Sequence, residues 1–290
     1  MTTLTWKPIA EDAALGWLDL GNPNTRKQRT AAYERFKNSE YGSTFRTTHI
    51  TIAENTTLDL PLTDLEVGFN CIEIVLMPNA HVTLSYVENE PRNKDALVVV
   101  KARLKKGASL NSVTGFFGGA SASFFQETLL EEEGAETRQR TIFYGDETQK
   151  FEIFSTTKLM APNTRAEITS KGVLDDSAHG RFDGAIEITE EGKGAEAHLT
   201  EETLLLSPDT RVNAIPGLKI GTNDVQASHA ASVTRLDDEH LFYFGSRGVD
   251  EQTASTLIVE GFLRTGYEGS DKAELLETLV AQKLARGSSH

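Results

Sequence analysis

Five short stretches decide the fold: PNAHVTL (78–84), KGASLNS (106–112), EGAETRQ (133–139), APNTRAEI (161–168) and EGKGAEAHL (191–199). Each carries a turn residue at or near its start, passes through a small residue and goes on in polar–apolar alternation. Their turn residues Pro78, Gly107, Gly134, Pro162 and Gly192 lie 29, 27, 28 and 30 positions apart. Alternation with period two is the mark of a strand. A unit of this length that recurs and resembles itself predicts the coils of a β-solenoid, each stacked on the last. An evenly turned sandwich of hairpins is the alternative. The solenoid is favoured because two-residue hairpin turns are scarce, Asp183-Gly184 being the one such signal between well-formed strands.

Outward from these stretches, strand-like runs begin with HITIA (49–53), TTLDLPL (56–62), CIEIVLM (71–77), HVTLSYV (81–87) and ALVVVKARL (96–104), and continue to about Ile220. Residues 1–45 are a partly helical region with Trp6, Trp17, Tyr33 and Phe36 as anchors. Its segment 25–37 is helix-like and basic (Arg26, Lys27, Arg29, Arg35, Lys37), either a solvated face or a contact for an acidic partner. The β-helix core is assigned to 46–225, a helical domain to 226–286, and the tail 287–290 reads as a tag remnant. In the helical part, Asp237 or Asp238 caps a short helix bearing Leu241, Phe242 and Phe244 and broken at Gly245 and Gly248. Asp250 caps a second helix, the two forming an αα-hairpin, and 270–286 is the clearest helix of all. A solenoid has an open end, and these helices are the natural candidate to cap it.

Charge narrows the partners. Forty-three acidic against 29 basic residues give −14, which argues against a nucleic acid or an anionic membrane. The mean hydropathy of −0.34 is that of an ordinary soluble protein. No stretch has the length of a membrane span, and the first residues lack the basic-then-apolar order of a signal peptide. With a single cysteine, Cys71, no disulfide framework exists, so a reducing, cytoplasmic setting is expected.

Enzyme signatures are scarce: there is no phosphate-binding glycine loop, no H-E-x-x-H and no cysteine pair for zinc. Phe117-Gly118-Gly119-Ala120 reads as a turn or tight coil contact. His179 beside Asp175 and Asp176, and His198 near Glu196 and Glu201, could be acid–base or metal clusters, but fit better as polar loop and surface residues. His229 differs. It stands in ASHAAS (227–232), among small residues, where the β region hands over to the helices. An imidazole there can donate, accept or ligate a metal near neutral pH, or only pack a subunit edge.

These last segments resemble a known family. SKGVLDDSA (170–178), Phe182-Asp183-Gly184, TLLLS (203–207), PGLKI (216–220), DVQASHAA (224–231) and LDDEHLFYFGSRG (236–248), running on to Val259-Glu260-Gly261-Phe262, are similar to the core of the SufD/SufB proteins of the SUF iron–sulfur cluster assembly machinery. The resemblance implies a right-handed parallel β-helix with a C-terminal α-helical domain. It implies a non-catalytic subunit that pairs through its β-helix with a second SufB/SufD-type chain, as homodimer or heterodimer. Its C-terminal helices would dock an ABC-type ATPase through Leu236, Asp237, Leu241, Phe242, Tyr243, Arg247, Gly248 and Gly261. His229 matches the interface histidine of the SufD kind and would be a metal and cofactor ligand for a transient iron–sulfur cluster held between subunits, none being bound stably by this chain alone. The sequence departs from the family at Ala227, where the SufD kind often has cysteine, and at Ser228 and Ala230, where the SufB kind has acidic flanks. The cysteine the SufB kind carries in the preceding strand is missing from 201–206. Thiolates are the usual cluster ligands. The chain therefore resembles the SufD member more. It is short for the family in its N-terminal region, and a homodimer in a reduced system is one expectation. The competing readings are an architectural subunit that binds no metal and a solenoid hydrolase using Asp175 and Asp176.

Overall fold

The structure is a computed structural model that describes residues 7–10, 13, 17, 26–37, 45–62, 65, 68–91, 94–236 and 238–287. Trp6, Asp237 and the tail beyond 287 lie outside these residues, as do the side chains of Arg26, Lys27, Arg29 and Arg35.

Among the described residues fifteen strands form two sheets, and from β2 onward they alternate between them. β1 (Lys7–Pro8), β2 (Phe45–Ile52), β4 (Phe69–Leu76), β6 (Asp95–Leu104), β8 (Ser121–Leu130), β10 (Lys150–Leu159), β12 (His179–Ile188) and β14 (Arg211–Ile220) form one sheet in that order. β3 (Thr57–Pro61), β5 (His81–Glu88), β7 (Ser109–Phe116), β9 (Glu136–Gly145), β11 (Arg165–Leu174), β13 (Ala195–Leu205) and β15 (Val225–Arg235) form the other. All pairings but β1–β2 are parallel, and each joins strands of successive coils, as a solenoid requires. Asp183-Gly184 sits inside β12, so no hairpin forms there.

The beat seen in the sequence comes from one backbone position. Asn55, Asn79, Gly107, Gly134, Asn163 and Gly194 all have φ between 56° and 70°. Each is one turn further along, and each donates its N–H to a carbonyl of the next coil, from Asn55 to Pro78 O through to Gly194 to Asp224 O. Left-handed backbone is accessible to glycine and, with less strain than for other residues, to asparagine. The asparagines add a side-chain ladder, with Asn79 Nδ2 donating to Asn55 Oδ1 at 3.1 Å.

Inward residues of both sheets interdigitate in one long core, from Ile50 and Ile72 through Val100, Phe124, Phe143 and Phe151 to Phe182 and Leu199. Part of the interior is polar. Gln139 Nε2 donates to Thr128 at 3.1 Å and Thr157 at 3.0 Å, its Oε1 accepts from Ser155 at 3.0 Å, and Thr114 meets Thr141 at 3.0 Å.

Helices cover the outer faces. α1 (Arg26–Lys37) sets Ala32 and Tyr33 against outward residues of the first sheet, Phe69, Cys71, Leu97, Val99, Phe125 and Phe154. The C-terminal helices α2 (Asp238–Gly245), α3 (Glu251–Tyr267) and α4 (Ala273–Gly287) follow the last strand. They do not cap the open end as expected. Val259, Leu263 and Tyr267 of α3 and Leu276, Leu279 and Val280 of α4 lie on Val113, Ile142, Tyr144, Val173 and Leu204, which face outward from the second sheet. That outer face is apolar and would otherwise be wet, so burying it outweighs capping. Contact is close: a Cβ on Gly266 would stand 2.6 Å from Ile142 Cδ1. The domain boundary also moves. β15 carries the sheet to Arg235, so helix begins at Asp238 rather than at 226. The small and polar residues of VQASHAASVTR hide its alternation.

One buried ion pair holds α4 down. Lys283, 4% exposed, donates to Asp146 Oδ1 at 2.5 Å and Gln149 Oε1 at 2.6 Å. Gln149 Nε2 in turn donates to the carbonyls of Gly118 and Gly119 at 2.8 and 2.7 Å. That glycine loop is a close contact, since a Cβ on Gly118 would lie 2.4 Å from the backbone of Glu90. Removing one partner of a buried pair leaves an uncompensated charge. Lys283→Met is therefore expected to lower stability by about 3–5 kcal/mol in urea unfolding and to raise amide exchange across α4. A loss below about 1 kcal/mol would show that the pair does not fasten the helix.

Candidate functional site

The open end of the solenoid carries the site. At the opposite end the sheet edges are managed: β1 covers β2, and β3 is a five-residue strand ending in Pro61. Short strands, proline and cover are the usual ways to blunt an edge. At the C-terminal end, β14 and β15 are both edge strands, 10 and 11 residues long. Nothing among the described residues pairs with their outer edges. Ile215, Ile220 and Val233 there are 42%, 46% and 47% exposed.

His229 lies in the middle of β15, opposite Leu199 of β13. Leu199 belongs to the inner core, so His229 is on the inward-facing side of the last coil, where no further coil covers it, and it is exposed. His198, one position from Leu199, faces outward, and its Nδ1 lies 2.8 Å from Ser228 Oγ. The strand therefore separates His198 and Glu196 from Glu201 and does not gather them into a cluster.

Glu201, which the sequence reading set beside His198 among surface residues, lies on the inward face instead. On β13 the inward positions run Ala195, Ala197, Leu199, Glu201, Thr203, Leu205. A carboxylate follows three small or apolar residues at the inward positions, and that break was the signal available in the sequence. Glu201 is fully buried, and neither carboxyl oxygen has a hydrogen-bond partner among the described residues. Ser170 Oγ, directly across on β11, and Thr203 Oγ1 are also unpartnered. Burial pushes the Glu201 carboxyl up to about 8, with the negative charge of Asp183 adding to it.

The other histidine cluster dissolves into turn structure. Asp175 accepts from Ser207 Oγ and from the Asp176 backbone. Asp176, at φ 51°, accepts from Glu147 N at 2.8 Å. These carboxylates tie adjacent coils and leave nothing resembling a hydrolytic pair.

The helical hairpin presents a second surface. Asp250 caps α3, its Oδ1 and Oδ2 accepting from Thr253 N and Oγ1 at 2.9 and 2.7 Å. Gly248, at φ 80°, makes the turn before it. Phe242 and Tyr243 are 75% and 56% exposed, and the Arg247 guanidinium stacks 3.8 Å from the Tyr243 ring centre. A Cβ on Gly261 would meet nothing within 4 Å, so nothing among the described residues requires glycine there. Leu241 is half-buried, and Leu236 packs inward against the cluster beneath the helices. Asp237 lies outside the described residues. The structure thus keeps Phe242, Tyr243, Arg247, Gly248 and Gly261 on the exposed surface and turns Leu236 away from it.

No group of three or more histidine, cysteine or acidic side chains poised for a metal occurs among the described residues. Cys71 is buried on the outer face of the first sheet, beside α1, and burial pushes its thiol well up. No described helix is long and apolar enough to cross a membrane.

Comparison with known proteins gives one matching family, described as "SUF system FeS cluster assembly, SufBD core domain", over residues 36–262. An iron–sulfur cluster assembly SufBD family protein of Staphylococcus saprophyticus is 27% identical over 192 residues, 66% of this chain and 41% of the relative. One of Mycobacterium bovis is 26% identical over 66% of this chain and 23% of its own length. This chain thus spans less than half of either relative.

Because its ionised form is disfavoured, Glu201 makes folding pH-dependent. The unfolded carboxyl ionises near 4.5, the folded one near 8, so unfolding releases a proton between them and stability falls as pH rises through that window. Glu201→Gln is expected to flatten this slope, with a gain on the order of a few kcal/mol at pH 8 and little at pH 4. Parallel slopes for the two proteins in denaturant titrations would refute the assignment.

Proposed function

Since the chain belongs to the SufBD family of SUF-system iron–sulfur cluster assembly proteins, we propose that it is a non-catalytic subunit of a cluster assembly complex. In this reading it pairs end to end with a second SufB/SufD-type chain and docks an ABC-type ATPase on the helical hairpin. The observation that carries the reading is the uncovered last coil. Two long edge strands with exposed Ile215, Ile220 and Val233 are a template for strand pairing. His229 faces the same end, so a partner pairing there brings its own ligands to this imidazole. The cluster is cargo, and with the one thiol buried at Cys71 this chain would offer the imidazole while the partner supplies sulfur ligands.

The hairpin supports the second contact. Exposed aromatic side chains beside a stacked arginine have the composition of an interface centre. Unforced glycine at Gly261 gives a partner backbone room to approach the helix, at a helix-propensity cost of about 1 kcal/mol. The pairing of ATPase contact and cluster site in one chain lets a motion of the helices reach the last coil, because Leu236 N donates to Leu205 O at 2.9 Å where strand passes to helix. A second reading, an architectural subunit without metal, is favoured by the want of a thiol near His229.

The deciding experiment is anaerobic co-purification with the ABC-type ATPase and the SufB-like chain, comparing wild type with His229→Ala for iron and sulfide. Loss of both in the variant with the complex intact places His229 in the cluster site. Equal iron in both, or none in either, supports the architectural reading. Phe242→Ala with Tyr243→Ala is expected to weaken ATPase binding at least tenfold with unchanged thermal stability. Unaltered binding would remove the hairpin from the interface. Charges on the edge, Ile215→Lys with Val233→Lys, are expected to turn a sedimenting dimer into monomer, and persistence of the dimer would exclude end-to-end pairing.

A further inference from the structure

We propose that the outer face of the second sheet holds a binding site for a sugar acid, a polyhydroxylated monocarboxylate. Its carboxylate sits on Arg140 and its hydroxyls meet Ser109, Asn111 and Glu136. The site lies on the middle strands β7, β9 and β11, and its reading is independent of pairing at the open end and of ATPase docking.

Register lays the groups out. Along β9 the outward side chains run Glu136, Arg138, Arg140 and Ile142, and Ile142 lies under α3. Opposite Arg138 stand Asn111 on β7 and Glu167 on β11, and opposite Arg140 stand Val113 and Thr169. Val113 belongs to the cluster beneath the helices, and a Cβ on Gly115, the next outward position, would be 2.8 Å from Leu276 Cδ2. Arg140 therefore stands at the rim of the helical cover. Beyond the rim a cavity of about 270 Å³ opens over Ser109, Asn111, Glu136, Arg138, Arg165 and Glu167.

Unmet polar groups point to an occupant. Two cations of the cavity wall are already taken, Arg138 by Glu167 at 2.7 Å and Arg165 by Glu196 at 3.1 Å. Arg140 is half-buried, its Nη1 is buried with no acceptor, and no carboxylate among the described residues pairs with it. Burial and the charge of Arg138 both disfavour its ionised form, which an anion at the guanidinium would offset. Asn111 Oδ1 is buried without a donor. Ser270, on the turn that joins Gly266 to Leu276 along this rim, carries a third buried polar atom without a partner.

Chemistry narrows the ligand. A guanidinium fork matches the plane of a carboxylate. Glu136 at the other end repels a second anionic group but accepts hydroxyl protons, and the Asn111 amide both accepts and donates. Glu136 and Arg140 are four residues apart on one strand, about 13 Å at the backbone, and their side chains shorten that gap to the length of a six-carbon acid. The cavity is smaller than the roughly 300–1,000 Å³ of drug-sized sites, as a metabolite of this kind requires.

The test is calorimetric titration of the purified full chain, with EDTA present, against three probes of equal length: gluconate, its neutral polyol sorbitol, and hexanoate, which lacks the hydroxyls. Gluconate is expected to bind once per chain, and sorbitol and hexanoate at least tenfold more weakly. Arg140→Gln is expected to bring gluconate down to the sorbitol level, Asn111→Leu to weaken it several-fold, and Lys193→Gln, on an exposed turn, to leave it unchanged. Because no described group relies on the Arg140 guanidinium, the unliganded unfolding midpoint of Arg140→Gln should equal that of wild type, and only wild type should gain stability from gluconate. Sorbitol or hexanoate binding as tightly as gluconate, no binding of gluconate, or an unaltered Kd in Arg140→Gln would each overturn the site.

Discussion

A parallel coil stacks only if every turn brings the chain back one strand spacing further along the axis with its side chains in the same phase. Here that return is made at a left-handed residue, repeated from Asn55 through Asn79, Gly107, Gly134 and Asn163 to Gly194. Each donates its backbone N–H to the next coil, so the corner that turns the chain also ties it to its neighbour. The coil length varies between corners, yet inward residues stay over inward residues. A slip of one position would put Ile, Leu and Phe on the outside.

With the phase fixed, the two outer faces become free for other uses. The first sheet carries charged ladders such as Lys101–Glu127–Lys158–Glu187–Lys219 along with the apolar patch under α1. The second is apolar under α3 and α4, and the Lys283–Asp146 pair fastens the last helix there. Because the helices lie against the side of the coil, its end is left open. The same packing that covers Ile142 and Val173 therefore exposes β14 and β15.

Polar groups inside the coils are handled differently in the middle and near the open end. Inside the middle coils, Gln139 reaches Thr128, Thr157 and Ser155, and the polar groups satisfy one another. One coil short of the end, Glu201, Ser170 and Thr203 do not. Three such groups on facing positions of the coils beside His229 depart from the local rule where function is expected.

Much of this was legible from residues alone. Turn residues at Gly107 and Gly134, and Pro78 and Pro162 next to the left-handed asparagines, gave the coil period, because left-handed backbone restricts residue choice. Asp250 marked its cap, and the resemblance from 170 to 262 marked the family. β15 was not legible, since Ala, Ser and Thr show no alternation in hydrophobicity even when their strand alternates in space. Nor was β1, a two-residue strand whose only support is its neighbour β2. For the site, sequence picked out His229 from its small neighbours but paired His198 with Glu201, which the pleat sends to opposite faces. The sequence by itself determined the coils, through local backbone chemistry at each corner. Where the helices settled, which end stayed open and which carboxylate came to lie beneath His229 were decided only by the tertiary structure, because those depend on register between strands some 30 residues apart.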